Sequence, residues 1–284
     1  MKTEKHKRSL LEIVREYATS EKMGLPVFPA IANELQQVMA EDDVPLDQIA
    51  RIIERDQALA SQILKVANSA AFAGFHKVRT IREALMRLGM NQVFNCLIMS
   101  SQQDLYKSKN GIIDNYLKIL WRHALATGIG SKWLLRKTGH GNLADEGFLA
   151  GLLHDIGKLL LLRVVERVNE ENSDIRLTEE FVMKILDYLH VQQGYYLMEE
   201  WSIPENYCIV TRDHHAQVFD TENVLLLAVR IVNQVCRKMG VSLHPDPDLD
   251  PAALPEVRAL GVKDDVLAEL ETVIEEAMEQ ELAT

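Results

Sequence analysis

No proline occurs between Pro45 and Pro204. A span of that length, rich in Leu, Ala, Glu and Arg and poor in alternating β-branched residues, favours helix throughout, so the chain is expected to be all-α. Leu25-Pro-Val-Phe-Pro29 reads as an extended lead-in to a helix from Ala30 to about Met39. A second helix follows Pro45, and Asp56 can cap a third that carries Leu59, Ile63, Val66 and Ala67 on one face. Thr80 with Glu83 forms a capping box, and Gly89 stands where a left-handed cap would end a helix over Ile81 to Leu88. Asn91 is expected to cap the next one. A polar break, Tyr106 to Gly111, follows, and no internal repeat is evident.

The most demanding stretch within this span is Gly147 to Leu162, GFLAGLLHDIGKLLLL. It is apolar on every helical face except at one short insertion, so it reads as a single buried helix. An ionised carboxylate taken out of water costs several kcal/mol unless a cation, metal or donor meets it, and Asp155 therefore needs a partner. His123, His190 and the pair His214-His215 lie in separate helical segments and are candidates, since imidazole is the commonest protein ligand for a divalent metal.

Composition limits the function classes. A formal net charge of −11 argues against broad binding to a phosphate backbone, and no nucleic-acid partner is expected. Three cysteines without CxxC spacing fit free thiols in a reducing cytosol. The basic start, MKTEKHKRSLLEIVREY, is interrupted by Glu12, Arg15 and Glu16 and suits an amphipathic helix better than a signal peptide. No apolar run approaches the ~20 residues of a membrane helix, so a soluble, cytoplasmic protein without membrane contact is expected.

Several blocks in order carry a resemblance. Leu25-Pro26 with Pro29, Ile53-Glu54-Arg55-Asp56 with Leu59, Ile63 to Ala70 (ILKVANSA), and Glu83-Ala84 with Arg87-Leu88-Gly89 together are similar to the HDOD family, the HD-related output domains of bacterial signalling proteins. Trp121-Arg122-His123, His154-Asp155-Ile156-Gly157-Lys158, Leu189-His190 with Gly194 and Trp201 to Pro204, and Asp213-His214-His215 continue the likeness to about Gly240. The resemblance implies an HD-domain-like multi-helix fold, with an N-terminal helical lobe over 25–108 packed on an HD-like lobe over 109–240. The amphipathic helix at 1–24 would precede these, and a solvated proline-rich linker with an acidic C-terminal helix would occupy 241–284.

The resemblance also implies a metal pocket. In active HD enzymes a histidine, the His-Asp pair and a last aspartate hold one divalent ion; His123, His154 and Asp155 match, but Val229 stands in the closing position. Two-metal relatives add a histidine and a His-His pair, which Asp155, His190, His214 and His215 match. One transition metal (Fe, Mn, Zn or Ni) held mainly by the second set is therefore expected, with His123 and His154 nearby. The competing reading is a hydrogen-bonded polar cluster that holds no metal. Asp213 could replace the missing carboxylate, although its position points it away. Lys158 would contact substrate phosphate in an active enzyme; otherwise it pairs with Asp155 or reaches solvent. The Gly-Tyr-Pro triplet of related cyclic-di-GMP phosphodiesterases is missing after His215, which disfavours that activity.

Three functions remain in view. The first is a signalling module without turnover, acting on a protein partner and with or without a retained metal. The second is a metal-dependent phosphohydrolase of small phosphoesters or nucleotides. The third is a sensor whose cleft binds a nucleotide-like ligand. Asn68-Ser69 is expected to cap backbone groups at a turn, and Trp121, Trp133 and Trp201 to serve the core.

Overall fold

The computed structural model describes residues 30–39, 44–69, 72, 74, 76–171 and 178–282. The expected helix over 1–24 and the lead-in at 25–29 lie outside them. Among the described residues there is no strand. The first helices are α1 (Ala30–Met39), α2 (Leu46–Glu54), α3 (Gln57–Ala67), α4 (Ile81–Leu88) and α5 (Met90–Gln103). The long α6 (Gly111–Lys137) leads into α7 (Ala144–Leu153), α8 (Ile156–Glu171), α9 (Glu179–Glu200), α10 (Glu205–Asp213) and α11 (Val224–Lys238). Two more, α12 (Pro255–Leu260) and α13 (Asp264–Leu282), complete the order. No helix among the described residues is long and apolar enough to cross a membrane.

Local chemistry accounts for most boundaries. Asp56 accepts from the Leu59 N–H at 3.0 Å, and Thr80 from that of Glu83 at 3.2 Å. The Glu83 carboxylate reaches back to the Arg79 N–H, one residue before the cap. Gly89 departs from the expectation: its φ of 77° is positive, but its ψ of 165° is extended, so it is no left-handed helical cap. Its carbonyl instead accepts from Val93, which starts α5 at Met90 and leaves Asn91 inside the helix, not at its cap. Only glycine adopts this geometry without strain, and it joins α4 to α5 through a single residue.

The division into two lobes does not divide the core. Leu35, Ile53, Ile63 and Leu97 belong to the same buried apolar cluster as Leu117, Leu153, Ile156, Leu160 and Leu186. A second cluster lies between α6, α11 and the C-terminal helices, with Leu134, Val232, Val257, Leu270 and Ile274.

The expected solvated linker holds for the first part of the segment after Gly240, where Pro245, Pro247, Asp248 and Asp250 are exposed, but not for the part from Pro251 on. Pro251, Glu256, Val257, Leu260 and Val262 are buried. Pro251 and Pro255 each sit at the start of a helical turn, where the missing N–H costs nothing. The prolines thus shape a folded connection. Helix α13 lays Leu267, Leu270, Ile274 and Met278 on the body.

One helix crossing sets the site. At Gly157 on α8 and Gly194 on α9 the backbones meet, and a Cβ on Gly157 would lie 1.9 Å from the His190 carbonyl and 2.6 Å from Gly194 N. Neither obstacle is a flexible side chain. Gly157→Ala is therefore expected to destabilise the protein by about 3 kcal/mol or more, at or beyond the upper end of ordinary overpacking, as read from urea unfolding.

Candidate metal centre

The helix expected over Gly147 to Leu162 is in fact two. Helix α7 ends at Leu153, His154 and Asp155 form the turn, and α8 restarts at Ile156, with the Lys158 N–H bonded to the Asp155 carbonyl at 2.9 Å. Adjacent residues on an unbroken helix do not face one point. The break lets both side chains converge. His123 reaches them from the middle of α6, His190 from α9, and His214 and His215 from the turn that follows α10.

All six ligand-type residues come together. The ligand atoms of Asp155, His190, His214 and His215 lie within 4.8 Å of one another, and so do those of His123, His154 and Asp155. Asp155 stands between the two groups. Its Oδ1 is 3.6 Å from His190 Nε2 and 3.3 Å from His214 Nε2. Its Oδ2 is 3.6 Å from His123 Nε2 and 3.5 Å from His154 Nε2.

The other ring nitrogen fixes the tautomer of four imidazoles. His123 Nδ1 donates to the Val241 carbonyl at 2.8 Å, His154 Nδ1 to Gly151 at 2.7 Å, His190 Nδ1 to Leu186 at 2.7 Å and His214 Nδ1 to Thr211 at 2.8 Å. A carbonyl only accepts, so each neutral ring carries its hydrogen on Nδ1 and turns a bare Nε2 inward. Asp155 Oδ1, His190 Nε2 and His214 Nε2 are buried with no hydrogen-bond partner. His123 Nε2 and His154 Nε2 also face each other at 3.3 Å. An acceptor-only cluster of this kind repels itself unless a cation enters it, and backbone-anchored imidazoles beside a carboxylate are the usual donor set for a divalent transition metal. The residues fit such an ion.

One cation is already there. Lys158 Nζ donates to Asp155 Oδ2 at 2.6 Å, and both side chains are buried. Burial alone would raise the Asp155 carboxyl, but the Lys158 ammonium, with smaller contributions from the imidazoles, outweighs it and holds the group well below the usual carboxylate range. Burial keeps His123 and His154 neutral below the ordinary histidine value and lowers His190 to about 4. It lowers His215 as well, with His214 adding to the effect.

The remaining candidates divide clearly. Val229 is fully buried in the second apolar cluster and offers no ligand. Asp213 is turned away, its carboxylate bonded to Arg212 at 2.7 and 2.8 Å. Asn68 binds both the N–H and the carbonyl of Val78, at 2.8 and 2.9 Å, and so closes a turn. Trp121 and Trp201 are buried. A cleft of about 370 Å³ opens beside the cluster, with Lys158, Asp187, His190, His215, Arg237 and His244 on its walls. Arg237 and His244 carry no motif and are visible only in the fold.

Residues 25–217 match the HDOD domain family. An uncharacterized protein of Treponema pallidum (strain Nichols) is 28% identical over 196 residues, 67% of this chain and 37% of that protein. The chain thus spans little more than a third of that relative's length. Among solved structures, a "Putative metal-dependent phosphohydrolase" from Shewanella amazonensis SB2B superposes with a TM-score of 0.71 at 21% identity, covering 94% of this chain and 96% of that one. A "Putative signal transduction protein" from Marinobacter aquaeolei VT8 gives 0.66 at 22%, covering 90% and 58%. At these identities the likeness establishes the helical fold.

The depressed His190 value implies a pH dependence in metal-free protein. An unfolded histidine takes up its proton near 6.5, whereas the folded one resists until about 4. The unfolded state therefore binds more protons in that window, so stability is full above about 6.5 and declines as pH falls towards 4. Thermal midpoints of chelator-treated protein should fall across this range, and His190→Gln should flatten the fall.

Proposed function

The chain belongs to the HDOD domain family, and from that premise we propose that it is a signalling module whose buried pocket holds one divalent transition metal without turning over a substrate. The metal would be held by Asp155 Oδ1, His190, His214 and His215. The observation that carries this reading is the trio of buried, partnerless acceptors, Asp155 Oδ1, His190 Nε2 and His214 Nε2. Two of the three are imidazoles whose tautomer is fixed by the backbone. Iron, manganese, zinc and nickel suit such a nitrogen-rich set with one carboxylate.

The other side of Asp155 is poorly made for a second ion. Lys158 already occupies Oδ2, and an ammonium and a dication on one oxygen repel. The position from which the family's enzymes supply a last carboxylate is the apolar Val229. His123 and His154 then serve chiefly to shape the pocket beside Asp155. In this reading a protein partner receives the signal, and the cleft beside His190 and His215 can accept a nucleotide-like ligand. The net charge of −11 speaks against nucleic acid.

A second reading, a metal-dependent phosphohydrolase of small phosphoesters or nucleotides, has one observation in its favour. Lys158 and Arg237 line the cleft next to His190 and His215, where a phosphate would meet two basic side chains, each paired with an aspartate, and Asp187, which is bonded to His244. A bound ion would there lower the pKa of a water and steady charge on phosphate. The chain's own groups would bind and orient the anion.

Elemental analysis of protein purified without a histidine tag should find close to one equivalent of metal. His214→Ala should weaken binding of that metal by at least about tenfold. Absence of stoichiometric iron, manganese, zinc and nickel would remove the metal reading. Generic phosphodiesters and nucleotides with added Mn²⁺ or Fe²⁺ should show no turnover above buffer. Activity that disappears in His154→Ala would instead establish the enzyme.

A further inference from the structure

The turn that presents His214 and His215 is held by two residues from outside the family-matched region. Arg230, next to Val229 on α11, directs Nη1 at three carbonyls of that turn: Asp213 at 2.9 Å, His214 at 3.0 Å and Ala216 at 3.0 Å. Asp213 ends α10, where its carbonyl also accepts from the Ala216 N–H at 2.9 Å, and a cation at a helix C-terminus is favourable in charge. The guanidinium also lies over the Phe219 ring, 3.9 Å from its centroid.

Arg230 is itself aimed by a buried acid. Its Nε donates to Glu256 Oε1 at 2.6 Å, and Glu256, on α12, is only 3% exposed. A carboxylate buried to that degree is costly without a paired cation, and Arg230 supplies one. The chain of contacts runs from the C-terminal segment through Glu256 and Arg230 to the backbone of the His-His turn. From there His214 Nε2 faces Asp155 Oδ1 at 3.3 Å.

We propose that Glu256 and Arg230 are the positioning pair for the His214-His215 half of the metal set, so that docking of the C-terminal segment and metal affinity are linked. The proposal rests on the metal reading above. Neither residue is among the groups that would hold the ion. They act by fixing the turn, as the groups behind a metal's ligands commonly do. Linkage is reciprocal, so a bound ion would in turn hold α12 in place.

Co²⁺ titrated into metal-stripped full-length protein, followed by calorimetry and by the visible spectrum, tests this. Glu256→Ala should weaken Co²⁺ binding about 10- to 100-fold, and Arg230→Lys similarly, since one ammonium cannot reach three carbonyls and a carboxylate. Glu256→Gln keeps an acceptor for Nε and should lose less. Glu271→Ala is the control: it removes the partly exposed Lys238–Glu271 pair of 2.7 Å, which lies outside the Glu256–Arg230 contacts and adds little to docking, and it should leave Co²⁺ affinity unchanged. Wild-type affinity in folded Glu256→Ala and Arg230→Lys would overturn the proposal. If those two do not fold, Glu256→Gln decides, and wild-type affinity there overturns it. Should the wild-type protein take up no Co²⁺, the metal reading fails by itself. The pair is then judged from the ring ¹⁵N signals of His214 and His215 in Glu256→Gln, where a shift supports positioning and unchanged signals refute it.

Discussion

Asp155 is the residue to which the rest of the architecture answers. Its carboxylate lies under the junction of α7 and α8 at 5% exposure, where an uncompensated charge would cost several kcal/mol. Lys158 neutralises one oxygen. The other is turned towards imidazole nitrogens that have no hydrogen to give. An ordinary buried polar cluster resolves its donors and acceptors among its members, and this one does not. Placing these groups in one pocket is a commitment that packing alone would not favour, which is why it reads as a site.

Backbone geometry makes that pocket possible. His154, His190 and His214 each anchor Nδ1 on a carbonyl three or four residues earlier, in the helix that each belongs to or directly follows, so local structure sets each ring's tautomer. The contact of α8 and α9 at Gly157 and Gly194 then brings the His190 ring to Asp155. The histidines carry the chemistry, but two residues without side chains determine the spacing.

Much of this was legible in the chain itself. The proline-free span announced helices, Asp56 and Thr80 announced where two of them start, and the ligand-type residues stood at positions where the HDOD resemblance implies a pocket. What the residue pattern concealed depends on contacts distant in sequence or on conformation. A uniformly apolar run gives no sign that its helix breaks at His154. Gly89 is compatible with two positive-φ geometries, and nothing local chooses between them. The prolines after Gly240 suggested solvent exposure, which Pro245 and Pro247 have, but nothing in their pattern shows that the chain from Pro251 on turns back onto the body. Arg230 closes the Leu227-Ala228-Val229-Arg230 block that resembles the last HD helix, but its pairing with Glu256, which belongs to no motif, exists only because α12 folds back onto α11.

The apolar cluster that joins α1–α5 to α6–α10 has a mechanical consequence. A clamshell motion, in which one set of helices swings from the other and opens a jaw between them, would part this continuous cluster and break the contacts that cross the boundary, Gln36 to the Ser202 carbonyl at 2.7 Å and Asn95 to the Asp145 carbonyl at 3.0 Å. Each large aliphatic side chain bared in this way would cost roughly 1.5–3 kcal/mol, a sizeable fraction of the stability of an ordinary domain. The molecule is better regarded as a rigid block. In the proposed signalling role, a receiver would need to read contour and charge instead of a change of overall shape.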